Sequence, residues 1–344
     1  MNKHSRNVTL KDIAQVLGLS ANAISMGLNG TGQLAPQTRA LIRETAKKMN
    51  YRPNSAARSL VLKKSMLIGA VLPYVNQSFF CKIVAGIESV AQEHGFALLL
   101  CNADGGREGE IRALEQAVWR KVDGIITFPT FDLAEIYSEI ADEQKVPLVL
   151  LMSSLPGFRR DCVIVDNQLG GSQAAGHLLK LGHRHIGLIY HGNSPAFAER
   201  RQGFLDVCAA TGAPVRGDHQ RCTSSSPEDG ESAALDLLTN YPEITAIAAC
   251  SDYAAIGVLR AAFRLGRRVP EELSVIGYDD LDVAGMQAGH PLTTIAQPQT
   301  RIGQTGAGML IRMIDGQPGE IVKLKTQLIE RATTGVPPAA GRAG

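Results

Sequence analysis

From Met66 onward, short apolar runs alternate with stretches in which apolar residues recur at the spacing of an amphipathic helix. The runs are MLIGAVLP, FALLLCNA, DGIITFP, VPLVLLM, HIGLIY, AIAACSD and LSVIGYDD. Continuous apolar runs separated by helices are typical of parallel strands that are covered on both faces. The runs are too numerous for one sheet of moderate size, so we expect two similar α/β lobes with mostly parallel sheets.

The chain is expected to pass between these lobes more than once. The segment VIVDNQLGG at 163–171 separates the first group of runs from the second, and further crossings are expected near 292–298 and 324–327. The predicted lobes therefore consist of residues 65–164 with 296–325, and of residues 165–295 with 326–335. Residues 336–344 form a Pro-, Gly- and Ala-rich end that we expect to be disordered.

Charge is distributed unevenly along the chain. Residues 1–64 contain eleven Lys or Arg and two Asp or Glu, whereas residues 65–344 contain 24 and 31. With 344 residues the chain is too long for one ordinary core, so separate folding units are expected. A small basic unit ahead of a large, mildly acidic one indicates a polyanionic partner for the first unit only.

The basic unit begins with the pattern of two short helices. In VTLKDIAQVLGLS, Thr9 can cap a helix whose apolar residues share one face: Leu10, Ile13, Ala14 and Leu17. Gly18 can end this helix and Ser20 can cap the next, which predicts a helix-turn-helix whose second helix enters a DNA major groove. A third helix is expected from Pro36. The alternative is an ordinary three-helix domain with a solvated basic surface, which the charge distribution disfavours.

Residues 54–64 have the pattern of a short linker helix. Pro53 and Asn54 mark a helix start, but residues 55–60 would form little more than one turn, which is marginal alone in water. Such a segment needs a partner to fold. A Leu at its end, Leu60, is the kind of side chain that opens a minor-groove step of DNA.

Motifs in both units resemble the lactose-repressor (LacI) family of bacterial transcription regulators. In the first unit they are VTLKDIAQVLGLS, Ser25, Leu28, Asn29, Thr38–Arg39, YRPN and ARSL. In the second unit they are VDNQLGG, HLLKLGHRHIG, RRQGF, SDYAAIGVLRA, RVPEELSVIGYDDL and PLTTIAQP. The resemblance covers nearly the whole chain. It implies a helix-turn-helix domain at 1–53, a hinge helix and linker at 54–64, and a periplasmic-binding-protein-like ligand-binding and dimerisation domain at 65–335.

The resemblance also implies which residues contact DNA. Ala21 and Asn22 would read bases, Leu60 would enter the minor groove, and Ala57 would pack hinge against hinge across a dimer. An Asn can pair with adenine through two hydrogen bonds, whereas Ala can only contact a thymine methyl group. The expected DNA-binding residues are Thr9, Leu10, Ser20, Ala21, Asn22, Ser25, Met26, Asn29, Thr38, Arg39, Tyr51, Asn54, Ala57, Arg58 and Leu60.

The second helix departs from the family pattern at three positions. Ala23 stands where Thr is common, Met26 where Arg usually contacts a base, and Gly27 where Val packs. Loss of the Arg removes a guanine contact that is worth about 1–3 kcal/mol of discrimination. We therefore expect an altered operator half-site, with affinity resting on phosphate contacts and on the hinge.

Polar and aromatic residues follow the predicted strands of the second unit. Ligands of open parallel sheets bind beyond the carboxyl ends of the strands, so these residues are candidates for a ligand site. By the resemblance, Arg200 grips ligand oxygens, Asp279 accepts ligand hydroxyls, and Ser251 stands where Asn is often found. The expected ligand-binding residues are Tyr74, Asn76, Phe79, Phe80, Arg200, Ser251, Asp252 and Asp279.

Other kinds of chemistry have weak support in the sequence. The six cysteines are scattered without a CxxC pair, and no carboxylate or Cys completes a metal set with the histidines near 177–191. Asp279 and Asp280 are adjacent at a strand end and would point apart, which disfavours paired catalysis. We expect no disulfide, metal or cofactor, and no enzyme. The absence of a signal-like segment or an apolar span predicts a cytoplasmic protein.

Together these patterns predict a ligand-responsive, sequence-specific transcription regulator, most simply a repressor that binds a palindromic operator as a homodimer. A small sugar-like or related metabolite would close or twist the lobes and so change the separation of the two hinges. A solute-binding protein with the same lobes is the second interpretation. An enzyme on a Rossmann-like scaffold is the third.

Overall fold

The computed structural model describes residues 8–30, 32–51, 64–158, 160–192, 194–224, 226–285 and 290–338. The chain forms two compact units, divided between Ser65 and Met66, and each is described by itself. Of the predicted hinge and linker at 54–64 only Lys64 is described, and of the predicted disordered tail at 336–344 only residues 336–338 are described.

The first unit consists of three helices around a small apolar core. They are α1 (Leu10–Leu17), α2 (Ala21–Asn29) and α3 (Pro36–Lys48). Helix α1 begins with a capping box, in which the Thr9 hydroxyl accepts from the Asp12 amide and the Asp12 carboxylate accepts from the Thr9 amide. Ile13, Ile24 and Ile42, one from each helix, are fully buried. The predicted helix-turn-helix is confirmed.

Gly27 has a packing reason that the sequence pattern did not reveal. A Cβ at this position would lie 2.5 Å from Cδ1 of Ile42, the fully buried residue of α3. The Ile42 side chain therefore fills the space that a Val at position 27 would need. The missing side chain of Gly27 leaves the space in the core that the side chain of Ile42 occupies.

The second unit contains two six-stranded sheets, which confirms the predicted fold class. The first sheet has the order β11–β5–β4–β3–β1–β2 and is parallel throughout. Its strands are β1 (Leu67–Leu72), β2 (Ala97–Asn102), β3 (Gly124–Thr127), β4 (Leu148–Leu151), β5 (Cys162–Val165) and β11 (Ile321–Leu324). The helices of this lobe are α4 (Ser78–Glu93), α5 (Arg107–Trp119), α6 (Ala134–Ser138) and α12 (Gln299–Ile314).

The second sheet has the order β12–β10–β9–β8–β6–β7, and only β12 is antiparallel to its neighbour among the described pairs. Its strands are β6 (Ile186–Tyr190), β7 (Gln220–Cys222), β8 (Ala246–Ala249), β9 (Ser274–Asp279), β10 (Thr293–Ala296) and β12 (Gln327–Ile329). The helices are α7 (Asn167–Leu181), α8 (Pro195–Ala210), α9 (Pro227–Asn240), α10 (Asp252–Arg264) and α11 (Asp282–Gly285).

Three segments of the chain connect the two lobes. They lie between β5 and α7, between β10 and α12, and between β11 and β12. Each of the seven apolar runs of the sequence forms a strand, at positions β1 to β4, β6, β8 and β9. The side chains of six of these strands are mostly buried because helices cover both faces of each sheet, whereas β2 lies at a sheet edge and leaves Leu100 49% exposed.

The segment after β12 is bound to the second sheet by side-chain hydrogen bonds. The Thr333 hydroxyl donates to the Val275 carbonyl (2.7 Å). His183, buried before β6, lies 2.9 Å from the Gly335 carbonyl oxygen and 2.8 Å from the Thr245 hydroxyl. Burial lowers the pKa of His183 because a charged imidazole would lose its hydration there. The C-terminal segment is thus part of the second lobe.

Candidate functional site

Among the predicted base-reading residues at the start of α2, Asn22 has an exposed side chain. The Ser20 hydroxyl caps the helix by accepting from the Ala23 amide (3.1 Å). Asn22 follows in the first turn and is exposed, whereas Ala21, Ser25 and Met26 are half-buried. An exposed amide in the first turn of a helix is suited to the adenine edge in a major groove.

Met26 lies against the turn between α2 and α3. Gly32 in this turn has a φ of 73°, and a Cβ there would lie 2.6 Å from Sδ of Met26. The guanidinium of Arg39 donates to the Gly32 carbonyl (3.2 Å) from the other helix. The side chain at position 26 therefore supports the turn, in a place where the family pattern has a base-reading Arg.

The remaining predicted DNA contacts fall into three groups. Thr9 caps α1, and Leu10 and Tyr51 pack against the core of the unit. Thr38 and Arg39 lie in the first turn of α3. Asn54, Ala57, Arg58, Leu60 and the side chain of Asn29 lie outside the described residues.

In the second lobe, Arg200 is the centre of a buried polar cluster. Its Nε donates to Oδ1 of Asn167 (2.9 Å), and its Nη1 donates to the Cys250 carbonyl (3.2 Å). Nη1 also lies 3.5 Å from the Asp279 carboxylate, and both side chains are nearly buried at 9% and 13% exposure. Arg200 is held by groups from three different strand ends, which fixes the direction of its remaining N–H groups.

Two aromatic rings pack against the Arg200 guanidinium. Its central carbon lies 3.8 Å from the ring centre of Tyr278 and 4.8 Å from that of Phe197. A planar delocalised cation is stabilised by such stacking, which Lys could not reproduce. The cluster is therefore specific for Arg at position 200.

Asp279 lies at the end of β9 in an unusual electrostatic and backbone setting. Burial raises the pKa of Asp279 to about 6, against the opposing effects of Arg200 and of a hydrogen bond from Gln297 (2.6 Å). The backbone φ is 111° at Asp279 and 54° at Asp280, a region that L-residues rarely adopt. Such strain is concentrated at ligand sites.

Gln297 presents an unsatisfied acceptor next to this carboxylate. Its amide nitrogen donates to Asp279, while its buried Oε1 has no hydrogen-bond partner among the described residues. Buried polar atoms are almost always hydrogen-bonded in folded proteins. A donor group supplied from the cleft would satisfy this oxygen.

The other predicted residues of this lobe lie deeper. Ser251 caps α10 by accepting from the Ala254 amide (3.2 Å). Asp252 is fully buried and accepts from the Thr294 hydroxyl (2.6 Å) and the Leu281 amide (2.7 Å). Burial, reinforced by the charge of Asp279, raises the pKa of Asp252 to about 8. Both oxygens of Asp252 are therefore occupied within the lobe, and its contact with a ligand stays a prediction.

The predicted wall on the first lobe follows β1. Tyr74 and Asn76 are exposed. Phe79 and Phe80 are half-buried against the core of that lobe, and the rings of Phe80 and Phe128 meet edge to face at 5.1 Å. The structure thus brings Arg200, Ser251, Asp252 and Asp279 together in one lobe and places the other four residues on the opposite lobe.

Sequence reasoning missed three residues that build the cluster: Asn167, Phe197 and Gln297. Asn167 and Gln297 follow β5 and β10, so the rule that ligands bind beyond strand ends could have found them. Phe197 lies three residues before Arg200 on α8, a spacing that places both on one helix face.

Within the described residues, no three His, Cys, Asp or Glu side chains are grouped so that they could hold a metal ion. All six cysteines are free thiols. Across the described ranges, no helix combines the length and the apolar character needed to span a bilayer.

Comparison with known proteins gives a consistent result for both units. Residues 65–332 match the family of periplasmic binding proteins and the sugar-binding domain of the LacI family. The transcriptional regulator DegA of Bacillus subtilis (strain 168) is 34% identical, over 86% of this chain and 88% of DegA.

Two solved structures resemble this one over nearly the whole chain. The lac repressor dimer bound to operator and the anti-inducer ONPF superposes with a TM-score of 0.85 at 27% identity, over 96% of this chain and 100% of that one. The complex of the regulator CelR with cellobiose has a TM-score of 0.71 at 28% identity, over 95% and 100%. With the family match over residues 65–332, these likenesses establish that the chain belongs to the LacI family of transcription regulators.

Proposed function

We propose that this protein is a transcriptional repressor that binds a palindromic operator as a dimer and is switched by a small, hydroxyl-rich effector. The observation that carries the proposal is the joining, in one chain, of a helix-turn-helix with a lobe pair that holds an Arg200–Asp279 cluster. Regulators of this family are not enzymes, so the enzyme interpretation is excluded.

The DNA-binding part of the proposal rests on the surface of the first unit. Asn22 is exposed on α2, and Arg43, Lys47 and Lys48 are exposed on α3. Exposed Lys and Arg next to a reading helix provide the phosphate contacts that position such a helix. The lac repressor, which resembles this chain, was solved on its operator. We place the protein in the cytoplasm because its operator is there.

The dimer is supported by an exposed aromatic side chain on α10. Phe263 is 87% exposed, and it borders a groove of about 510 Å³ together with Glu231, Ile256, Leu259, Arg260 and Arg264. An exposed aromatic ring beside the aliphatic side chains of Ile256 and Leu259 is a patch that a partner surface can cover. We propose that a second copy of the chain covers it, because two operator half-sites require two reading helices.

The effector part rests on the Arg200 cluster. The charge of Arg200 is balanced by Asp279, so the pair favours a ligand that carries hydroxyl groups and little net charge. The free Oε1 of Gln297 needs a donor, which a hydroxyl supplies. CelR, with the same two-lobe structure, was solved with cellobiose. We infer a sugar or a related metabolite.

A solute-binding protein would share the second unit but would not bind DNA. The test is a fluorescence-anisotropy titration of labelled double-stranded DNA containing a selected operator, with the wild type, Asn22→Ala and, as a matched amide control on the second lobe, Asn240→Ala. A repressor requires tight binding by the wild type and Asn240→Ala, and at least tenfold weaker binding by Asn22→Ala. Equal and weak binding by all three would favour the solute-binding interpretation.

A further inference from the structure

Two side-chain contacts connect the lobes of the second unit directly. The hydroxyl of Ser78 lies 2.9 Å from the hydroxyl of Tyr253, and Nζ of Lys82 lies 2.6 Å from Oδ1 of Asp282. Ser78 and Lys82 belong to α4 of the first lobe, whereas Tyr253 and Asp282 belong to α10 and α11 of the second. Neither contact involves the connecting segments of the chain.

The positions of these residues in the fold place both contacts at the rim of the cleft. Helices α4, α10 and α11 each begin just after the carboxyl end of a strand, namely β1, β8 and β9. The carboxyl ends of parallel strands form the edge at which ligands bind. Asp282 lies three residues after Asp279 in the sequence, and α4 carries Phe79 and Phe80 between Ser78 and Lys82.

Ser78 and Lys82 are four residues apart on α4, so their side chains project from the same face of the helix. One face of α4 thus presents a hydroxyl and an ammonium group to the second lobe, and each finds a complementary partner. A single surface ion pair often forms by chance. Two contacts from successive turns of one helix restrict the orientation of one lobe relative to the other more than a single contact does.

We propose that Ser78, Lys82, Tyr253 and Asp282 form an inter-lobe clamp that stabilises the closed position of the lobes. The clamp goes beyond the proposed function, because it concerns the relative position of the lobes and does not depend on which ligand enters.

The clamp is weak because its ion pair is exposed to water. Lys82 and Asp282 are 41% and 65% exposed, so water and salt screen their attraction. Exposed pairs of this kind change an equilibrium constant by up to about fivefold. A change of this size is enough to shift a balanced population of open and closed lobes.

The test measures the distance between the lobes in the ligand-free full chain. Spin labels at Gln116→Cys on α5 and Ala209→Cys on α8 lie near the helix ends that are remote from the cleft. The exposed native thiols are removed by Cys81→Ser and Cys222→Ser in every sample. Labelled chains are diluted with unlabelled protein so that double electron–electron resonance reports distances within one protomer.

The variants are Lys82→Asp, Asp282→Lys and the double exchange of the two. Arg312→Asp is the control, because Arg312 pairs with Glu320 at 2.8 Å within the first lobe at a similar exposure of 47% and 57%. We expect one narrow distance for the wild type, a broader and altered distribution for each single variant, and recovery of the narrow distance in the double exchange. The Arg312→Asp chain should match the wild type.

Three results would overturn the clamp. They are a broad distribution in the wild type, unchanged distributions in both single variants, and a double exchange that stays as broad as the single variants. Recovery by the exchange cannot arise from a folding defect, so the test remains decisive even when one single variant is less stable. Higher salt should broaden the wild-type distribution while leaving that of the single variants unchanged.

Discussion

We propose that Arg200 serves both the structure of the second lobe and the ligand site. Its guanidinium has five N–H donors, and the lobe uses some of them on Asn167 and the Cys250 carbonyl. Asn167 begins α7, just after the first connection between the lobes. If an effector displaces Arg200, we expect the Asn167 hydrogen bond to transmit the displacement to that connection and so to change the relative position of the lobes.

Replacement of Arg200 should lower the free energy of unfolding by an amount that depends on pH. In Arg200→Ala the Asp279 carboxylate loses its counter-charge, so its pKa should rise above the wild-type value of about 6. A folded-state pKa above the unfolded value means that stability is fully present at low pH and is lost as pH rises through the folded pKa. We expect a loss of about 3 kcal/mol at pH 7.5, typical of a broken buried pair, and a clearly smaller loss at pH 5.

The measurement is chemical unfolding of the variant and the wild type at the two pH values. Arg201→Ala is the control, because Arg201 contacts Gln220 and the Tyr190 ring but pairs with no carboxylate in the described structure. The loss of unfolding free energy in Arg201→Ala should be the same at both pH values. An Arg200→Ala loss that does not change with pH would show that Asp279 does not depend on Arg200 for its charge.

Among the elements, α2 departs from the family pattern at Ala23, Met26 and Gly27. Met26 packs on the turn at Gly32, and α2 contains no basic residue. We expect the remaining base contacts to come from Asn22 and its small neighbours. The half-site should therefore contain an adenine opposite Asn22 and should show weak preference at the base pair nearest position 26.

Met26→Arg should restore a preference for guanine at that base pair. An Arg can bind guanine O6 and N7 together, which is worth about 1–3 kcal/mol of discrimination, or roughly 5- to 150-fold. The comparison requires site selection with both proteins under the same conditions, with Met49→Arg as a control at the end of α3. An unchanged selected sequence would mean that position 26 does not face DNA.

The C-terminal segment is an element whose attachment should depend on pH. Burial lowers the pKa of His183 below its unfolded value of about 6.5, so the neutral form is favoured in the folded state. The unfolded chain then binds more protons, and stability is lost as pH falls from about 6.5 towards the folded pKa. Unfolding free energies at pH 7.5 and 5.5 should differ less for His183→Gln than for the wild type.

His185→Gln is the control for this comparison, because His185 lies two residues away with an exposed side chain. It should retain the wild-type difference between the two pH values. An identical pH dependence in the wild type and His183→Gln would contradict the account of this segment.

The elements were more predictable from sequence than the contacts within the site. Six of the seven apolar runs form strands that are buried on both faces, which leaves a continuous apolar pattern in the sequence, and the seventh forms the edge strand β2. The capping signals at Thr9, Gly18 and Ser20 are equally local. Contacts such as Asn167–Arg200 or Met26–Gly32 join residues whose spacing carries no period, so only the folded chain reveals them.

At the scale of the whole molecule, dimer formation should depend on the exposed face of α10. Phe263→Glu places a charge where we propose that a second copy packs, which should convert the dimer to a monomer and weaken operator binding at least tenfold. Sedimentation velocity gives the assembly state directly. Val336→Glu, at a residue that is 70% exposed on the same lobe, is the control and should remain dimeric. A dimeric Phe263→Glu protein would place the interface elsewhere.

The most direct measurement of operator binding is selection of DNA sites from a random duplex pool by the full chain, with and without a small-molecule cell extract. The selected sites are then titrated at two salt concentrations. A dimeric operator-binding protein should select a palindrome whose half-sites lie about one helical turn apart. Two chains should bind this site, and affinity should fall steeply at higher salt. No enriched sequence in either pool, or an asymmetric site bound by one chain, would contradict this prediction.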